Sequence, residues 1–135
     1  MRKSIVFWVY WISTGLISLG YLGGAAYYVF NHDAAAEGMI QLGYPPYLSY
    51  LLPVVKVLGP LAILSRMSVA LSDLAYAGMF YHLILAFLAH VSSGVPGREG
   101  AVAFFALMLV SFFTQNAARK PQTPYAGTRW SEARQ

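Results

Sequence analysis

Four apolar stretches, each long enough to cross a bilayer, occupy most of this sequence: about residues 5–30, 47–64, 69–91 and 100–117. A helix rises about 1.5 Å per residue, so about 20 residues cross a hydrocarbon core of about 30 Å. Lipid tolerates only elements that satisfy their backbone polar groups internally, and single segments of this length do so as helices. The fold class is therefore an all-α, integral membrane four-helix bundle over residues 1–117, followed by a basic, flexible cytoplasmic tail over 118–135. Composition agrees, because only 10% of residues are charged and 58% are hydrophobic, whereas a soluble domain carries about 25% charged residues. The first stretch exceeds the 7 to 15 or so apolar residues of a signal-peptide core and reads as a retained span. Cysteine is absent, which excludes disulfides, thiolate metal sites and thiol redox chemistry.

The net charge of +4 and pI near 9.5 are assigned to membrane orientation, and no nucleic-acid partner is expected. With four alternating spans, Arg2, Lys3, Arg66, Arg119 and Lys120 share one side, while Arg98 stands with Asp33, Glu37 and Glu99 on the other. Lys and Arg concentrate in cytoplasmic segments, so both termini are expected in the cytoplasm. The tail adds Arg129 and Arg134 against Glu132, with Pro121 and Pro124. Trp8, Tyr10 and Trp11 near one end of span one, and Tyr27 and Tyr28 near the other, suit the two headgroup layers. Between spans one and two, Asp33 is placed to cap a short surface helix that Gly43 would end, and Pro45 and Pro46 would open span two. Gly20 and Gly24 form a GxxxG pair, which fits either close packing within the bundle or a homodimer.

Span two contains Pro53, Lys56, Gly59 and Pro60. A charge at the centre of a membrane helix costs roughly 2.5 to 3.5 kcal/mol, and each proline removes a helical hydrogen bond. At 100° per residue, Ser49, Pro53, Lys56 and Pro60 fall at about 20°, 60°, 0° and 40°, a narrow stripe that should face the bundle interior. There Lys56 could bind an anionic or carbonyl oxygen, with Asp73 of span three as candidate counter-ion. Span three also holds Tyr76, Tyr81, His82 and His90. Tyr76 and His90 share a face, at about 300° and 260° from Asp73, although about 21 Å separates them along the axis. His82, near mid-span, fits a helix-tying hydrogen bond, a proton relay or an axial haem ligand. Tyr47, Tyr50, Tyr76 and Tyr81 are candidates to line a cavity, where a phenol can donate to a carbonyl oxygen. Two histidines eight apart make no zinc motif, no metal site is expected, and haem is not favoured. There is no Gly-rich phosphate loop, nucleophile elbow or dinucleotide fingerprint.

The stretch from Gly43 to Leu64, GYPPYLSYLLPVVKVLGPLAIL, followed by DLAYAG at Asp73 to Gly78 and by Ala89, His90 and Gly94, resembles the DoxX-like family of four-helix bacterial membrane proteins. The similarity covers about residues 5–117 and rests on Lys56 with Gly59, on Tyr76, Ala77 and Gly78, and on His90. Where the family often has a proline after span two, Ser65, Arg66 and Met67 stand here. The resemblance implies a compact four-span bundle in the bacterial inner membrane, related to the small membrane subunit of thiosulfate:quinone oxidoreductase. It also implies that Lys56, Tyr76 and His90 line one polar interior site.

The leading expectation is an accessory of a membrane redox system that binds a quinone or another lipophilic carbonyl compound between spans two and three. Lys56 and His90 would bond ligand oxygens or relay protons, Tyr76 would orient one of them, and His82, Asp73, Tyr81 and Tyr50 would complete the binding site. The cofactor is not named by the sequence, a quinone being compatible with it, and electrons would come from a partner protein or a bound cofactor. Two other classes stay open: a non-catalytic assembly or scaffold subunit, and a cofactor-free isomerase or hydrolase acting on a lipophilic substrate.

Overall fold

A computed structural model describes residues 2–127. Five helices are formed among these residues: α1 (Arg2–Phe30), α2 (His32–Gln41), α3 (Leu48–Ser65), α4 (Val69–Ser93) and α5 (Arg98–Ala118). All but α2 are long and apolar enough to cross a membrane. The outer surface explains why water is the wrong solvent: Ile5, Trp8, Leu19, Val29, Leu74 and Leu85 are among many large apolar side chains left exposed, and contiguous apolar surface of this extent marks a lipid-facing protein.

The long helices run alternately up and down and close a ring in the order α1, α3, α4, α5, each packing on two neighbours. Both ends of the described chain therefore lie at one end of the bundle, called here the basic end because it carries Arg66 and Arg119. The far end holds α2 and the α4–α5 turn. Ile17, Tyr21, Ile63, Tyr76, Met79 and Met108 form the apolar centre, one or two from each long helix.

Local chemistry sets the element ends. Ser68, extended at φ −147°, caps α4 by accepting from the Leu71 N–H at 3.3 Å, a standard side-chain cap. Gly94 ends α4 in the left-handed region at φ 73°, where the lack of a Cβ removes the steric cost. The short surface helix α2 is present, but it starts two residues earlier than expected. Asn31 occupies its cap position without a side-chain bond, and Asp33 sits inside the first turn, where a carboxylate favours the helix dipole rather than capping it.

The GxxxG pair is used inside the bundle. A Cβ at Gly20 would run into the Phe104 ring of α5, and one at Gly24 would lie 3.3 Å from Lys56 Nζ. Both glycines thus face neighbouring helices of the same chain.

The largest departure from expectation is at the basic end. Arg66, counted above as a surface charge of orientation, is only 9% exposed. It takes a left-handed conformation, φ 51°, at the end of α3, which turns its side chain back into the bundle. Nη1 donates to Gln115 Oε1 at 2.6 Å and Ser72 Oγ at 3.2 Å, and Nη2 donates to the Pro121 carbonyl at 2.8 Å. Residues 119–127 belong to the stretch read as a flexible tail, yet here they fold across this end. Asn116 Nδ2 donates to the carbonyls of Thr123 and Ala126, and Thr123 Oγ1 donates to Asp73 Oδ2 at 2.7 Å. Arg119 donates to the Leu64 carbonyl and stacks over Trp11. Arg129, Glu132 and Arg134 lie outside the described residues.

Candidate functional site

Helix α3 carries two internal prolines, each four residues after a polar side chain of the expected stripe. Pro53 withholds the N–H that would meet the Ser49 carbonyl, and Pro60 withholds the one that would meet the Lys56 carbonyl. Ser49 and Pro60 are fully buried, and Pro53 and Lys56 are partly buried, while Leu51, Val54, Val55, Val57 and Leu58 are exposed. The stripe faces inward as the helical periodicity requires.

Gly24 of α1 makes room for the Lys56 side chain. The ammonium is held by two aromatic faces, with Nζ 5.1 Å from the centre of the Tyr21 ring and 5.7 Å from that of Tyr28. Such contacts are worth about 0.5 to 2 kcal/mol, the upper figure applying when the cation is desolvated. Among the described residues Lys56 has no carboxylate partner, since the ion pairs there are His32 with Asp33 and Arg98 with Glu99. Tyr21 in turn places its hydroxyl 2.8 Å from His82 Nδ1 of α4, and which of the two donates follows the imidazole tautomer. The rings meet edge to face at 5.5 Å. Amine, phenol and imidazole thus come from three different helices to one place near mid-membrane.

They form the polar wall of a cavity of about 410 Å³ between α3 and α4. The other walls are apolar, including Leu52, Val55, Ala62, Ala75 and Met79. A Cβ at Gly59 would lie 3.1 Å from Met79 Cε, so that glycine permits the close approach of the two helices, while one at Gly78 would meet only open space. The exposed Leu58, Leu71 and Leu74 rim the cavity on the outer surface, so its mouth opens sideways toward lipid. Small-molecule sites have this character: mostly apolar volumes of about 300 to 1,000 Å³ with a few converging polar groups.

Of the side chains expected from sequence to build a site, the structure joins Lys56 and His82 and separates the rest. Tyr76, 2% exposed, lies deeper between α1, α4 and α5, its hydroxyl 2.6 Å from Ser111 Oγ, which is also 2.6 Å from Thr14 Oγ1. His90 sits at the far end, with Nδ1 3.0 Å from the Val95 carbonyl and its ring against Gly97. Its face is shared with Tyr76 but its depth is not. Asp73 is no counter-ion to Lys56, because it is taken up by Thr123 at the basic end. Tyr50 and Tyr81, 69% and 66% exposed, point out of the bundle, as does Tyr47. His82 and His90 are about 12 Å apart along α4, so they cannot ligate one haem iron. Among the described residues no three His, Asp or Glu side chains gather closely enough to hold a metal ion.

Tyr21 has no role in the sequence reading, although a signal was present. It is a tyrosine well inside span one, away from both headgroup layers, and it sits between the two glycines that bring neighbouring helices close.

A family model for the DoxX-like family matches residues 12–113. The chain belongs to the DoxX-like family. No curated protein and no solved structure matches it. For this DoxX-like membrane protein the matched region contains Tyr21, Lys56 and His82, hence the whole polar wall of the cavity. It stops before Gln115, Asn116 and Thr123, which close the basic end.

Proposed function

We propose that this DoxX-like protein is an accessory of a redox system in the bacterial inner membrane and binds a quinone, or another lipophilic carbonyl compound, in the cavity between α3 and α4. The observation that carries this reading is Lys56, a mid-span cation without a carboxylate partner among the described residues, placed beside the Tyr21–His82 pair on the polar wall of an apolar cavity that opens to lipid. An uncompensated charge at this depth is costly and usually marks a ligand or proton site. Lys56 supplies N–H donors to a ligand oxygen, and the Tyr21–His82 pair can give or take a proton next to it. Reduction of a quinone consumes two electrons and two protons, and the electrons would come from a partner subunit, since the chain carries no cysteine and no nucleotide-binding motif. In this reading Tyr76 and His90 hold helices and turns in place, and the basic end faces the cytoplasm, following the excess of Lys and Arg there.

The test is a titration of the purified protein in detergent with a short-tailed ubiquinone, followed by quenching of aromatic fluorescence. Lys56→Met should weaken binding at least tenfold, about 1.4 kcal/mol, whereas His90→Ala should leave it unchanged. Equal affinity of the native and Lys56→Met proteins would refute the assignment.

A further inference from the structure

The chain has three lysines, Lys3, Lys56 and Lys120, and of these Lys56 alone lines the cavity between α3 and α4. Its Nζ meets the faces of Tyr21 and Tyr28 and lies beside Gly24. Among the described residues no carboxylate pairs with it. A primary amine in an apolar volume of ligand size can do more than donate hydrogen bonds, because once it gives up a proton it is a nucleophile toward a carbonyl carbon. That chemistry needs a group that first accepts a proton from the ammonium and later returns it. The Tyr21 hydroxyl and His82 Nδ1, 2.8 Å apart, stand on the same wall.

The surroundings also suit the product. A protonated imine carries the same single positive charge as the ammonium it replaces, so the aromatic faces that hold one can hold the other without a counter-ion. Space for the rest of the molecule lies on the α4 side, where a Cβ at Gly78 would meet nothing. The exposed Leu58, Leu71 and Leu74 rim the mouth, so an alkyl chain can run out into lipid while its polar end reaches the amine.

We propose that Lys56 forms a Schiff base with a lipophilic aldehyde that enters the cavity from the bilayer. This rests on the reading of the cavity as a site for lipophilic carbonyl compounds, and narrows that class to those with an unhindered carbonyl carbon. His82, held by Tyr21, takes one proton from the Lys56 ammonium. The freed nitrogen pair adds to the carbonyl carbon, and the electrons of the C–O π bond move to oxygen. A second proton shifts from nitrogen to that oxygen, giving a carbinolamine. His82 then returns its proton to the hydroxyl, the C–O bond breaks, water leaves and the C=N bond forms. Ammonium and aldehyde thus become protonated imine and water, with charge conserved and no oxidant or reductant consumed.

The test treats the purified protein in detergent with decanal and cyanoborohydride, whose hydride reduces an imine to a stable secondary amine. Mass spectrometry of the whole protein and of its fragments then locates the decyl group. The expected site is Lys56. Gly78→Leu fills the cavity from its open side, and His82→Gln removes the proton acceptor. Each should slow attachment at Lys56 by about tenfold or more and leave attachment at the exposed Lys120 unchanged. If His82→Gln fails to fold, Gly78→Leu carries the test. Attachment at Lys56 that survives these substitutions reflects only the solubility of decanal in the micelle and overturns the proposal. Decanal that displaces a bound quinone without becoming attached to Lys56 overturns the covalent step and leaves the carbonyl site standing. Attachment at Lys56 that the substitutions suppress, in a protein that binds no quinone, keeps the imine and discards the quinone.

Discussion

At the basic end the Arg66 guanidinium donates to Gln115, Ser72 and the Pro121 carbonyl, whereas about 15 Å away on the same helix Lys56 rests between two aromatic rings and has no acceptor among the described residues. Both are cations withdrawn from bulk water. The first is surrounded by acceptors from α4, α5 and residues 119–127, so its charge is used to tie elements together. The second lies against Gly24, Tyr21 and Tyr28 of α1 and borders the cavity between α3 and α4. A buried charge with fixed partners is structural, and one kept beside empty volume with donor hydrogens free is available to something that enters. Under the proposed function, the difference divides stability at one end of this bundle from ligand chemistry in its middle, and each variant below presses on that division.

The largest effect is expected at Gln115. Gln115→Leu keeps approximate volume but leaves Nη1 of Arg66 with Ser72 Oγ at 3.2 Å. Depriving a buried charged donor of its acceptor costs about 3 kcal/mol, so thermal unfolding in detergent should shift down by several degrees. Quinone affinity should be unchanged. A loss of affinity that parallels the loss of stability would mean that the two regions are one cooperative unit and would break the comparison.

Next come the two glycines of α1, which set the same contrast within a single motif. Gly20→Val forces a side chain into the Phe104 ring, and overpacking of this kind costs about 1 to 3 kcal/mol. It should lower the melting temperature and spare ligand binding. Gly24→Val meets instead the end of the flexible Lys56 side chain, which can move aside. It should therefore cost less stability and displace the amine, weakening quinone binding about as much as Lys56→Met. Equal effects of the two variants on both readouts would show that the lysine end of the seam is packing as well.

How far this division could be read from the sequence depends on which physical rule each residue obeys. The four spans, their order and the inward stripe of Ser49, Pro53, Lys56 and Pro60 follow from length, hydropathy and the 100° step, which act within one helix. Pairings between helices do not follow from any such rule. Tyr76 and His90 share an angle on α4, yet depth in the membrane places one in the core and the other against Gly97. Asp73 was near Lys56 only by span order, and residues 119–127 bring Thr123 to it instead. Arg66 looked like every other charge at a span boundary, since nothing local announces a left-handed turn that carries an arginine inward. Gln115 and Asn116 likewise read as the fading end of a span, although their amides are what the folded-back chain binds. Tyr21 was concealed by the habit of assigning tyrosines to headgroups, and only the position of α4 reveals His82 opposite its hydroxyl.

The smallest effect is expected at that hydroxyl, and it is the most discriminating. Tyr21→Phe keeps the ring over Lys56 and removes only the contact to His82 Nδ1 at 2.8 Å. Interhelical hydrogen bonds in membranes contribute about 0.6 kcal/mol on average and up to about 1.7, so the melting temperature should fall only slightly, far less than for Gln115→Leu. Ligand affinity should fall about threefold, the equivalent of about 0.6 kcal/mol, because the lysine and its cation–π contact survive while the imidazole loses the partner that fixes its tautomer. Tyr21→Leu should then weaken binding further by removing the ring. If Tyr21→Phe destabilises the fold as much as Gln115→Leu while leaving affinity intact, the phenol and imidazole form a structural joint like the one around Arg66. The polar wall of the cavity would then reduce to the lysine alone.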